Sequence, residues 1–140
     1  MIEAGTRLPP LETRLTRLDL VRYAGASGDF NPIHWSESAA ATARLPTVIA
    51  HGMLTMGVAL RAVTEWCGDP GLVVDYGVRF SRVVPVPDGE GALIRVDGAV
   101  AHVDDDGTAH VELSVTHAGD EVLTRAYAVV RPPRDGRLEP

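Results

Sequence analysis

The feature that most constrains this chain is a change of period near its middle. From about Gly52 to Cys67, apolar Met53, Leu54, Met56, Val58, Leu60, Val63 and Trp66 are interleaved with small Gly57, Ala59 and Ala62. These residues cover most of a helix circumference, which predicts a helix buried on nearly all sides. Beyond Gly71 the period becomes two, with candidate strands at 72–84, 92–103, 108–117 and 121–130. Asp105-Asp106-Gly107 and Ala118-Gly119-Asp120 have hairpin-turn chemistry, and consecutive hairpins give an antiparallel sheet. A single long helix ahead of such a sheet is what the sheet must wrap. The class is α+β.

Ahead of that helix, residues 9–15 read as extended. Thr16, with Asp19 three residues on, is a capped helix start. The helix should run to about Ala26, with Leu18, Val21 and Tyr23 facing inward. Ser27-Gly28-Asp29-Phe30-Asn31-Pro32 breaks it, and a second short helix is expected at 36–43, stopped by Pro46. Gly68 is a left-handed stop for the long helix. With no repeat or linker, 1–131 reads as one domain and 132–140 as a flexible tail.

Charge and cysteine content exclude several functions. The 13 basic residues, all Arg, face 19 acidic ones for a net charge of −6, and no basic run exists. Nucleic acid is not an expected partner, because phosphate neutralisation needs a clustered positive face. The single Cys67 excludes an internal disulfide and a multi-cysteine zinc site. The N-terminal residues hold no apolar signal core, and the apolar run 53–60 falls far short of the ~20 residues of a membrane span. A cytoplasmic protein is expected, with no membrane partner. His102, His110 and His117 invite a metal, but His110 and His117 are an odd number apart and face opposite sides, and no paired carboxylate completes a set. No metal is expected. Asp104-Asp105-Asp106-Gly107 lacks the downstream Glu of a calcium loop and reads as a turn.

Chemistry concentrates in two segments, Tyr23-Ala24-Gly25-Ala26-Ser27-Gly28-Asp29-Phe30-Asn31-Pro32-Ile33-His34-Trp35 and Ala50-His51-Gly52-Met53-Leu54-Thr55-Met56. Asp29 and His34 are five apart across a Pro-containing turn, a spacing that can bring a carboxyl and an imidazole to one point. Such a pair can move two protons. The same residues are also good turn formers, with Asx side chains bonding local backbone. Gly52 could leave its N–H bare at the start of a buried helix, where partial positive charge can hold a carbonyl oxygen that becomes an oxyanion. It could equally admit a close backbone contact.

Gly28-Asp29-Phe30-Asn31-Pro32-Ile33-His34 followed by Ala50-His51-Gly52-Met53-Leu54 resembles the MaoC-like, (R)-specific hydratase/dehydratase family of the hot-dog fold. The longer run to Gly57, Val78-Arg79-Phe80 and Val84-Pro85-Val86-Pro87 resemble the catalytic β-type subunit of actinobacterial 3-hydroxyacyl-ACP dehydratases. The resemblance implies a long central helix wrapped by a curved antiparallel sheet, Asp29 and His34 as the catalytic dyad, Asn31 orienting dyad or substrate, and the Gly52 amide on the thioester carbonyl. It implies dehydration of a 3-hydroxyacyl thioester in fatty-acid or polyketide biosynthesis, with (R)-enoyl-CoA hydration or a non-catalytic acyl-binding subunit as alternatives. His34 is assigned as base at C2 and Asp29 to the leaving hydroxyl; because the two can share protons, the reverse assignment stays open. Many (R)-enoyl-CoA hydratases place a Ser where this chain has Gly57, so the expected substrate is carried on acyl carrier protein (ACP) rather than CoA. Arg79 and Arg82 are candidate contacts to phosphate or carrier, beside their reading as ordinary exposed arginines. No cofactor is implied, and the partner expected is a second copy or a related hot-dog subunit. A thioesterase would want a carboxylate on the central helix, where only Glu65 stands, at the far end.

Overall fold

The computed structural model describes residues 2–133. Of the tail expected at 132–140, residues 134–140 lie outside the described residues. In chain order the elements are β1 (Leu11–Leu15), α1 (Arg17–Ser27), a 3-10 turn at Pro32–His34, α2 (Glu37–Thr42), α3 (Gly52–Cys67), a second 3-10 turn at Pro70–Leu72, β2 (Val73–Phe80), β3 (Ala92–Val103), β4 (Ala109–His117) and β5 (Asp120–Val130). The strands form one five-stranded sheet in the order β1-β3-β4-β5-β2, and every pairing is antiparallel. Register shifts interrupt the ladders between β2 and β5, β3 and β4, and β4 and β5. Bulges of this kind bend a strand and increase its twist. α3 packs on the sheet, contributing Val58, Ala59, Ala62, Val63 and Trp66 to a core with Ile94, Val96, Val111, Val115, Leu123 and Ala128. This is the hot-dog arrangement expected of the sequence. Among the described residues no helix is long and apolar enough to cross a membrane.

Local chemistry explains the element ends. Thr16 and Asp19 form a reciprocal capping box at α1, and Gly28 closes that helix in the left-handed region with its N–H donated to the Ala24 carbonyl. Ser36 caps α2, which ends at Thr42, before Pro46 is reached. Gly68 terminates α3 at φ 74°.

Two expectations need correction, and a third is made more specific. Leu18 and Val21 point outward, each 55% exposed, and Leu20 and Ala24 face the core. Leu20, Tyr23 and Ala24 share one side at i, i+3, i+4 spacing, whereas Leu18 lies about 200° around the helix from Leu20. α3 is not buried all round, since Met53, Gly57, Arg61 and Glu65 form an exposed stripe at i, i+4 spacing. The extended opening proves to be a sheet strand, with β1 paired to β3 from Leu11–Val96 to Leu15–Ala92.

Candidate active site

The loop between α1 and α2 carries the first half of the site, and its own side chains shape it. The Ser27 hydroxyl accepts from the Asp29 N–H at 3.1 Å, Asp29 Oδ1 from the Asn31 N–H at 3.1 Å, and Asn31 Oδ1 from the Ile33 N–H at 3.2 Å. Pro32 follows at the first position of the 3-10 turn, where its missing N–H costs nothing. This ladder of Asx contacts presents His34, which is only 7% exposed, next to Asp29, whose carboxylate is half-exposed. The turn chemistry read from the sequence is present, and it is this turn that sets the carboxyl and the imidazole side by side. Asn31 Oδ1 caps the 3-10 turn that carries His34, and no hydrogen bond joins the Asn31 side chain to that of Asp29 or His34 among the described residues.

His34 Nδ1 lies 2.7 Å from the Ile49 carbonyl. A carbonyl only accepts, so Nδ1 carries the proton and the neutral ring has its lone pair on Nε2. Nε2 is 3.9 Å from Asp29 Oδ2. The ring stacks on His51, with centroids 3.8 Å apart and planes 23° from parallel.

His51, at 1% exposure, is a residue that the sequence motif contained without a role. Its Nε2 donates to the Asp29 carbonyl at 3.2 Å, its ring meets the edge of Tyr23, and Nδ1 has no partner among the described residues. Burial holds its pKa below the ordinary histidine value; the Asp29 carbonyl contact opposes this, and His34 reinforces it. Asp29, His34 and His51 bring their ligand atoms within 4.8 Å of one another, so the trio could also accept a cation.

Gly52 opens α3 behind His51, which provides no side-chain cap. Leu54 and Thr55 donate to the His51 carbonyl, while the Gly52 N–H has no hydrogen bond among the described residues. A cavity of about 270 Å³ takes in His34, Ile49, Ala50, Gly52, Thr55, Phe80, Ser81, Arg82, Val83, Val84, Val122 and Leu123. His34 and Gly52, the residue whose N–H is bare, therefore line one largely apolar pocket. A Cβ on Gly52 would come within 3.0 Å of the Phe80 ring, which is itself half-exposed.

Thr55 corrects the sequence reading of this helix. A Cβ at Gly57 would meet nothing within 4 Å, whereas buried Thr55, one turn beyond Gly52, lines the pocket with its hydroxyl 3.5 Å from the His51 carbonyl. A Thr in an otherwise apolar turn was the available signal. Arg82 borders the pocket and pairs with Asp120 at 3.7 Å, whereas Arg79 stands on β2 opposite Thr124 and does not line it. Glu65 is exposed and bridged to Arg61 at 2.8 Å. The expectation that no carboxylate joins the strand histidines is also overturned. His102 and His110 are direct cross-strand partners, and Asp104 bonds His110 Nε2 at 2.8 Å. His117 stands apart, with Nδ1 on the Leu93 carbonyl.

Residues 3–120 match the MaoC like domain. Among curated proteins the chain is 39% identical over 90 residues to 3-hydroxyacyl-thioester dehydratase X of Mycobacterium tuberculosis, covering 63% of this chain and 31% of that protein. It is 33% identical over 91 residues to the (R)-specific enoyl-CoA hydratase of Rhodospirillum rubrum, covering 64% and 63%. The chain thus spans less than a third of the first relative and under two thirds of the second. A solved MaoC-like dehydratase superposes with a TM-score of 0.90 at 44% identity, over 93% of this chain and 40% of that one. The ChsH1-ChsH2 complex from Mycobacterium tuberculosis matches with a TM-score of 0.79 at 21% identity, over 94% of this chain and 99% of the matched one, a likeness of fold. With that match over most of its length and the hot-dog sheet in place, the chain belongs to the MaoC-like family, whose relatives named here are dehydratases and a hydratase.

Proposed function

We propose that the chain catalyses the reversible dehydration of an (R)-3-hydroxyacyl thioester to the trans-2-enoyl thioester. The observation that carries this reading is the fixed tautomer of His34, whose unprotonated Nε2 lies 3.9 Å from Asp29 and whose ring lines the same pocket as Gly52 at the start of α3. Nε2 takes the C2 proton. Electron density moves onto the thioester carbonyl, where the Gly52 N–H and the positive end of α3 hold it. The C3–O bond then breaks, and the hydroxide leaves as water with one proton from the Asp29–His34 pair. One proton enters the dyad and one leaves, so its charge is restored. Asp29 positions or protonates the leaving oxygen. Val83, Val84, Val122 and Leu123 offer the acyl chain an apolar wall.

The carrier is phosphopantetheine, as ACP or as CoA. Thr55 supplies a polar contact of the kind whose absence at Gly57 favoured ACP, so the preference for ACP rests on Arg82 at the pocket border, suited to an acidic carrier surface. A second hot-dog subunit, identical or related, completes the assembly. Phe30 and Trp35 flank the dyad, Met53 adjoins Gly52, and Phe80 and Val83 line the pocket, and all five are exposed in the single chain.

The test is turnover of matched 3-hydroxyacyl-ACP and 3-hydroxyacyl-CoA by the purified chain and by His34→Ala and Asp29→Asn. Each substitution should cost ~10²–10⁴-fold, the usual worth of acid–base catalysis. Near-normal turnover in a folded variant would remove that residue from the mechanism, and no turnover of either substrate by the wild-type chain, alone or with a hot-dog partner, would remove the reading itself.

A further inference from the structure

The β3–β4 hairpin brings together three side chains that the dehydration chemistry does not use. His102 and His110 face each other across the two strands, just past a register shift that follows Val100. Their rings stack with centroids 4.0 Å apart and planes 12° from parallel. Asp104, at the start of the turn, reaches both: Oδ2 is 2.8 Å from His110 Nε2, and Oδ1 is 3.7 Å from His102 Nε2. The turn holds this carboxylate in place. The Asp104 N–H donates to the Thr108 carbonyl and the Gly107 N–H to the Asp104 carbonyl, both at 2.9 Å, while Asp106 is engaged by the Thr108 N–H.

Two imidazoles and a carboxylate, all exposed or half-exposed, form a donor set without a dedicated occupant. A proton can serve only one ring–carboxylate pair at a time. A cation with bonds of ~2 Å needs tetrahedral ligands roughly 3.3 Å apart, and Asp104 presents a different oxygen to each ring, at 2.8 and 3.7 Å, so small side-chain rotations bring one oxygen and both Nε2 atoms to that spacing. All three ligand atoms already lie within 4.8 Å of one another. We infer that His102, Asp104 and His110 form a surface site for one first-row divalent ion, Zn²⁺ or Cu²⁺, with water completing the coordination. Imidazole selects such ions over Mg²⁺ and Ca²⁺, which take oxygen ligands. The site is separate from the pocket. His110 precedes Val115, the partner of pocket-lining Leu123, by five residues, roughly 17 Å along the strand. The ion clamps the hairpin at the far end of the sheet and takes no part in turnover.

Calorimetric titration of ZnCl₂ into untagged, chelator-stripped chain tests this, with MgCl₂ as control. One saturable equivalent of Zn²⁺ is expected and no Mg²⁺ binding. His102→Ala, His110→Ala and Asp104→Asn should each weaken Zn²⁺ by at least about tenfold, as losses in a metal's shell do. His34→Ala, which disables the other cation-capable trio, should leave that affinity unchanged, and His102→Ala should leave any thioester turnover unchanged. Absence of saturable Zn²⁺ binding overturns the site. So does unaltered affinity in His102→Ala and His110→Ala, or a loss confined to His34→Ala.

Discussion

At the residue scale, the site depends on keeping two adjacent imidazoles in different roles. His34 is pinned at Nδ1 by the Ile49 carbonyl, and burial lowers the pKa of its stacking partner His51. Under the proposed chemistry, a neighbour whose protonation is disfavoured spares His34 a second positive charge at its face when it takes up a proton. A pH signature follows. Native His51 binds its proton at lower pH than it does in the unfolded chain, so below about pH 6.5 the unfolded state binds more protons. Stability should therefore fall as pH falls through that window. His51→Phe keeps an aromatic ring there and removes the titration, so its urea midpoint should drop less than the wild-type midpoint between about pH 7.5 and pH 5.5. Equal drops in the two proteins would show that His51 does not carry the effect. Asp29, His34 and Gly52 were legible in the sequence because a local turn and a helix start fix their places. Thr55 was not, because its meaning depends on which face of α3 meets Phe80 and Val122.

At the element scale, period and punctuation located the long helix and four of the five strands to within a few residues. What they missed is tertiary. β1 becomes a strand only by pairing with β3, and the inward face of α1 is decided by what it packs on rather than by its mixed pattern. The His102–His110 pair was hidden for the same reason: parity along one strand says nothing about register with the next, least of all beyond a bulge. The β4–β5 hairpin keeps a local conflict. Ala118 and Gly119 both adopt positive φ, 51° and 84°, and the Cβ of Ala118 is disfavoured there. Ala118→Asn should stabilise the fold by about 0.5–1 kcal/mol, read as a higher denaturant midpoint at unchanged slope. An unchanged or lower midpoint would mean that the surrounding ladder already absorbs the strain.

At the scale of the whole molecule, β2 is a sheet edge, pocket-lining Phe80 and Val83 are exposed in the single chain, and so are Phe30, Trp35 and Met53, the sequence neighbours of Asp29, His34 and Gly52. An edge and an apolar rim together call for a partner. Sedimentation at micromolar concentration should give a dimer, and Met53→Glu, placed in that rim, should shift it toward monomer with loss of turnover. A stable, fully active wild-type monomer would refute the paired assembly. The placement of the dyad carries a further consequence. His34 lines the pocket and Asp29 lies 3.9 Å from its Nε2, so the two groups approach a bound chain from the same side. Under the proposed chemistry the C2 hydrogen and the C3 oxygen must leave from that same face, a syn elimination. In the reverse direction, water and proton then arrive together from one side and fix the handedness of the alcohol.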